Sequence, residues 1–223
     1  MNIAIIPARS GSKRIKNKNI LLINKKPMIY YSIKAAQKAK IFDEIIVSTD
    51  SLKIKKIAEK YGAKVPKLRS KKLSNNKTPL IDVINFTFKE YDEKVNICCI
   101  YPAAIFIKAS LLKDSYKKYI NSKKKFCLSV NMFPSYIEKS FKLKGNKIKY
   151  NFSKYKNVNS NKFKNSYYDA GQFFWGKPKY FLKKLSLFSN DTFFYKLNNI
   201  ENIDVNTLSD IKNIKFLAKC IKL

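Results

Sequence analysis

The chain alternates short apolar runs with longer segments whose apolar residues recur at helical spacing. Residues 2–7 (NIAIIP) form a continuous apolar run closed by proline, the pattern of a strand buried on both faces. Residues 44–49 (EIIVST), 95–101 (VNICCIY), 126–132 and 168–175 read as further strands, with a brief one at 63–65. Between them, Pro27 opens a segment with Met28, Ile29, Ile33, Ala36 and Ala39 on one side, which predicts a helix. Ile54, Ile57, Ala58 and Tyr61 fall at i, i+3, i+4 and i+7, with Asp50 or Ser51 as the cap and Gly62 as the stop. Thr78 and Pro79 read as cap and first turn of a helix carrying Leu80, Ile84, Phe88 and Tyr91. Another helix is predicted over 110–120. A last one starts at Thr207, where Asp210 completes a capping box, and runs through Ile211, Ile214, Leu217 and Ile221. Strands alternating with helices predict an α/β fold: a mixed, mostly parallel sheet in a three-layer sandwich.

The pattern changes after residue 133. Residues 141–143 and 148–150 alternate around Gly145-Asn146, which predicts a hairpin, and 151–166 is polar and irregular. The expectation is one domain over 1–223 with a hairpin-and-loop extension at 133–167.

Composition changes this picture in four ways. With 45% hydrophobic residues, 16 Phe and 14 Tyr, the chain is not a disordered one despite its charge. The net charge of +32 would suit nucleic acid, but Arg9, Arg14 and Arg69 are the only arginines and the lysines are spread along the whole chain. Base and phosphate readers favour the bidentate arginine fork, so the charge reads as a solvated surface that steers anionic substrates, with no specific nucleic-acid partner. Histidine is absent, which removes imidazole acid–base chemistry. Cys98, Cys99, Cys127 and Cys220 lack zinc spacing and read as buried free thiols of a reducing compartment, Cys98 and Cys99 pointing to opposite faces of one strand. No leader pattern or membrane-length apolar run is seen, so a cytoplasmic location is expected.

The sharpest signal is IPARSGSKRIKNKN, residues 6–19. A buried strand feeds a loop with Arg9, Gly11, Ser12, Lys13, Arg14, Lys18 and Asn19. Loops at the carboxyl ends of parallel strands form the ligand crevice of α/β sheets, and a triphosphate needs cations and N–H donors around its oxygens. A single glycine satisfies neither a Walker A loop nor a dinucleotide fingerprint.

This segment resembles the amino-terminal signature of CMP-sialic acid synthetases, and the resemblance continues through FDEIIVSTD (42–50), YGAKVPKLRS (61–70) and KTPLIDVI (77–84). The resemblance implies a nucleotidyltransferase fold, CTP as substrate, and CTP contacts from Arg9, Ser12, Lys13, Lys18, Asn19, Arg69 and Thr78, with Arg9 and Lys13 also catalytic. It also implies a homodimer, with the 133–167 extension reaching to the partner. CCIYPAAIFIK (98–108) and YDAGQFFWG (168–176) look like members of this family that act on pseudaminic acid, which points to Tyr101, Asp169 and Gln172 as sugar contacts. Some positions depart from that pattern: Asn159 stands where an arginine is usual, Tyr168 where a histidine is, and Ile105 where a proline is. At 201–207 the family carries a D-x-D that binds magnesium. Here the run reads Asn202-Ile203-Asp204, so the resemblance implies Asp204, with Asn202, as the Mg2+ ligand and Asp204 as a third catalytic residue beside Arg9 and Lys13. Other sugar acids (an N-acylneuraminate, legionaminate or 3-deoxy-octulosonate), a basic nucleic-acid-binding protein and a non-catalytic homologue are the alternatives.

Overall fold

Strand β1 (Asn2–Pro7) is apolar at every inner position because both of its faces are covered. Ile3 and Ile5 pack into one hydrophobic cluster and Ala4 and Ile6 into another on the opposite side. Strand β5 (Asn96–Ile100) repeats this: Ile97 and Cys99 face one layer, Cys98 and Ile100 the other. The computed structural model describes residues 1–12, 14–198, 203, 205 and 207–221.

After β1, the short strands β2 (Leu22–Ile23) and β3 (Lys26–Pro27) pair with each other and lead into α1 (Met28–Ala39). Then follow β4 (Glu44–Ser48), α2 (Leu52–Lys60), α3 (Leu80–Phe88), β5, α4 (Ala109–Ser122) and β6 (Phe126–Met132). A hairpin, β7 (Phe141–Lys144) and β8 (Lys147–Tyr150), precedes β9 (Tyr167–Gly176), α5 (Pro178–Leu182), β10 (Thr192–Lys196) and α6 (Leu208–Cys220). The main sheet has the order β10-β6-β9-β5-β1-β4. Its parallel pairs are β1 with β4 and β5, and β10 with β6; β9 alone is antiparallel to its neighbours β5 and β6. The sheet is therefore mixed and mostly parallel, as expected. Side chains of α1, α2 and α4 pack into the cluster on one face. Those of α3 and α5 pack on the other. A third cluster joins α6 to Ile23, Met28 and Phe106.

Two features of β9 set the shape of the sheet. Trp175 is fully buried, stacks on Phe42 at 5.5 Å between ring centres, and donates through Nε1 to Ser115 Oγ at 3.0 Å. At Gly176 the strand passes close to its neighbours: a Cβ there would meet Phe181 Cζ at 2.5 Å and Phe126 Cδ1 at 2.8 Å.

Several local expectations change. Residues 63–65 give only an isolated parallel bridge, Lys64 to Ile46 on the outer edge of β4, because Pro66 follows at once and has no N–H with which to extend the pairing. Ser51, not Asp50, caps α2, its hydroxyl accepting from Ile54 N. Thr78 does not cap α3. Pro79 holds that position, and the Thr78 hydroxyl donates instead to Lys72 O at 2.9 Å. Cys98, Cys99 and Cys127 are buried and free, whereas Cys220 is exposed on the outer side of α6. The hairpin forms as expected and projects fully exposed from the main sheet. Among the described residues no helix is long and apolar enough to cross a membrane.

Candidate active site

The loop after β1 and the loop after β5 leave the sheet at the same edge, and between them lies a cavity of about 560 Å³. Arg9, Arg14, Lys18 and Arg69 bring four cations to its wall. Ser12, Asn19, Asn75 and Thr78 add polar groups, and Leu80, Val83, Tyr101 and Pro102 form an apolar side.

Arg69 is the most informative of these residues. It is 7% exposed, and its Nε and Nη2 have no hydrogen-bond partner among the described residues. Its own amide donates to Thr49 O at 2.8 Å, which fixes the backbone against the end of β4. Burial lowers the guanidinium pKa; Asp50 opposes that shift and Arg9 adds to it. A guanidinium stays charged through such a shift. A buried cation with free donors at a cavity wall is a site for an anion or a strong acceptor.

The loop itself is held by hydrogen bonds. Ala8 N donates to Ser48 O at 2.9 Å, extending the sheet one residue past β1. Asn19, buried at the start of the return segment, donates through Nδ2 to Arg9 O at 2.9 Å. Arg9 Nη1 donates to Asn75 O at 2.9 Å, tying the loop to the 70–79 segment. Lys18 Nζ donates to the carbonyl of the fully buried Val205 at 2.8 Å, so the segment before α6 also reaches the cavity. Asn75 was not anticipated from sequence. Its Oδ1 accepts from Lys77 N and Thr78 N at 2.7 and 3.0 Å, an Asx-type turn that the Ser-Asn-Asn cluster signals.

Of the expected sugar contacts, Tyr101 lines the cavity and packs edge-on against Phe174. Asp169 and Gln172 do not line it. Asp169 accepts from Gly171 N at 2.8 Å, and Gln172 is 2% exposed with Nε2 donating to Ala170 O at 3.1 Å. Both shape a bulge, where the pairing of β9 with β6 shifts between Leu128 and Val130. Ser129 Oγ bridges the gap, donating to Phe173 O at 2.7 Å and accepting from Phe173 N at 3.1 Å. Gly171, at φ +59°, is the residue of this run that lines the cavity, and a Cβ there would meet nothing within 4 Å. Lys13, Asn202 and Asp204 lie outside the described residues. Among the described residues no cluster of three or more metal-ligating side chains occurs.

This sandwich, with its cation-lined cavity at the carboxyl edge of the parallel strands, has the fold of nucleotidyltransferases. A solved structure of a CMP:2-keto-3-deoxy-manno-octonic acid synthetase complexed with CTP superposes on it with a TM-score of 0.75, covering 100% of this chain and 99% of that one at 14% identity. The chain belongs to the cytidylyltransferase family, whose model matches residues 3–218. A pseudaminic acid cytidylyltransferase of Campylobacter jejuni (strain 81-176) is 35% identical over 226 residues, which cover 98% of this chain and 96% of that protein. A CMP-N,N'-diacetyllegionaminic acid synthase of Legionella pneumophila is 32% identical over 216 residues, covering 93% and 92%.

Proposed function

We propose that this cytidylyltransferase transfers CMP from CTP to a nonulosonic sugar acid, pseudaminic acid, with release of pyrophosphate. The observation that carries the nucleotide part is Arg69, a buried cation with two free N–H groups beside Arg9 and Lys18. The sugar assignment draws support from Tyr101 at the cavity wall, from the run at 168–176, and from the full-length likeness to pseudaminic acid cytidylyltransferases.

In the proposed reaction the anomeric hydroxyl attacks the α-phosphorus in line. The new P–O bond forms as the bond to pyrophosphate breaks, and the hydroxyl proton leaves to water or a phosphate oxygen. Arg9, Lys18 and Arg69 hold the phosphates and the base end, and Ser12 donates to an oxygen. Lys13 meets the charge that builds on the leaving pyrophosphate. Asn202 and Asp204 supply oxygen donors, which suit a hard cation such as Mg2+, and Val205 next to Asp204 lines the cavity. When bound, Mg2+ neutralises phosphate charge. One carboxylate in place of two means that the nucleotide brings much of the coordination, so a high half-saturating Mg2+ concentration is expected, and Asn202→Asp should lower it.

The enzyme would act in the cytoplasm as a homodimer. The hairpin supports the dimer: Phe141, Leu143, Ile148 and Tyr150 share one face through the pairs Phe141–Tyr150 and Leu143–Ile148, and Leu143 is 69% exposed. Light scattering of the purified protein tests the dimer. The reaction is tested by pyrophosphate release with CTP and a panel of nonulosonic acids. Pseudaminic acid should turn over fastest, and rates with N-acetylneuraminic acid that equal or exceed it would overturn the sugar assignment.

A further inference from the structure

Asp50 follows the end of β4 and does not line the cavity, yet both of its carboxylate oxygens are spent on the phosphate loop. Ser10 N donates to Oδ1 at 2.8 Å and Ser10 Oγ donates to Oδ2 at 2.6 Å. Asp50 is free to do this because Ser51 caps α2. Ser10 sits one residue past the carbonyl that Asn19 holds. Its own carbonyl accepts from Ser12 N at 3.0 Å, so the position of Ser10 sets that of Ser12. Ser12 does line the cavity. The chain therefore runs from a fixed carboxylate, through Ser10, to the turn that faces the ligand.

The charge of Asp50 makes this placement notable. A carboxylate within electrostatic reach of Arg69 works against a polyanion bound at the same site. If only the field mattered, a neutral side chain at 50 would tighten CTP binding. We propose that Asp50 is a positioning residue that clamps the phosphate loop through Ser10, so that its loss weakens binding despite the removal of a repulsive charge. The clamp rests on the CTP reading above and adds to it a residue that acts without touching substrate.

The test measures binding of CTP and of CMP by calorimetry to the full chain and to Asp50→Ala, Ser10→Ala and the double variant, with Tm recorded for each. The loop serves the outer phosphates, so CTP affinity should fall about tenfold in Asp50→Ala, which removes both bonds, and about threefold in Ser10→Ala, which keeps the amide bond, while CMP affinity stays within about twofold. The double variant should match Asp50→Ala, because both act through one clamp. If Asp50→Ala does not fold, Asp50→Asn keeps the shape and should show a smaller loss, about threefold, from weaker neutral hydrogen bonds. Unchanged or tighter CTP binding without Asp50 overturns the clamp, as do equal losses for CTP and CMP or additive effects in the double variant. A wild-type chain that binds CTP no better than CMP refutes the triphosphate reading itself.

Discussion

Arg69 carries a cost that the ligand-free fold does not recover. Desolvating a guanidinium without satisfying Nε and Nη2 is unfavourable, so removing the charge should not weaken the empty protein. Arg69→Met is expected to keep or raise the Tm without nucleotide and to lose most of the Tm rise that CTP produces in the wild type. Its kcat/KM for CTP should fall about 10- to 100-fold. Differential scanning fluorimetry with and without CTP, beside steady-state kinetics, checks both parts. Asp50 makes a prediction in acid. Burial favours its protonated form, but the Ser10 hydroxyl and amide bonds and the charge of Arg69 outweigh that and hold the carboxyl below its usual range. A depressed folded pKa means that its stabilisation is complete above the ordinary aspartate value of about 3.9 and is lost as pH falls through the folded value. Urea titrations between about pH 5 and 2 should therefore show a shallower acid slope in Asp50→Asn than in the wild type. At this scale the cavity's cations were legible, Arg9 and Lys18 from the dense run at 6–19 and Arg69 only through the resemblance at 61–70. Asp50 was not, because in sequence it is one of two adjacent cap candidates, and only the packing of the loop on β4 shows which capped the helix.

The two glycines of β9 separate conformation from space. Gly171 sits in the left-handed region with open space around its would-be Cβ, so Gly171→Ala should cost about 1–2 kcal/mol of backbone strain and disturb the cavity wall. Gly176 faces Phe181 and Phe126 at distances no Cβ can tolerate, so Gly176→Ala must push an aromatic core apart. The expected outcome is the larger fall in urea midpoint for Gly176→Ala, and the larger fall in kcat relative to stability for Gly171→Ala. Elements with strong periodicity were readable, as α1, α2, α4 and α6 attest. The strand β10 was missed: Thr192–Lys196 is only five residues long and its aromatics are consecutive rather than alternating, so it shows neither the strand nor the helix period. The five-residue α5 was missed because it spans little more than one turn and shows no period. Thr78 was misread as a cap because the Asn75 turn, which fixes its backbone, has no helical periodicity to reveal it.

For the whole molecule, the net charge of +32 sets the field that a trianionic or tetra-anionic nucleotide meets on approach. Screening grows as the Debye length shrinks from about 14 Å at 0.05 M salt to about 6 Å at 0.3 M. Raising KCl over that range should lower kcat/KM for CTP several-fold, mostly through association, and shorten any contact with nucleic acid without sequence preference. Stopped-flow nucleotide binding against ionic strength measures the first, and a flat profile would show that the surface charge plays no part in capture.

The strand order has a consequence for how the chain is made. Antiparallel β9 lies between β5 and β6, which are separated from it in sequence by the intervening α4 and the hairpin. A growing chain that has emerged through β6 therefore holds two strands whose edges stay open until residue 176 leaves the ribosome. Exposed apolar edges of this kind favour association between chains. Translation halted just before β9 should yield a species that aggregates or recruits chaperones more than one halted after Gly176, and protease resistance should be reached only by chains that extend through α6, which also supply Phe181, β10 and the third cluster. The strand that joins β5 to β6 is thus also the one that brings Gly171 to the cavity, so the two halves of the sheet close and one wall of the ligand site forms in the same event, before β10 and the Val205 segment are added.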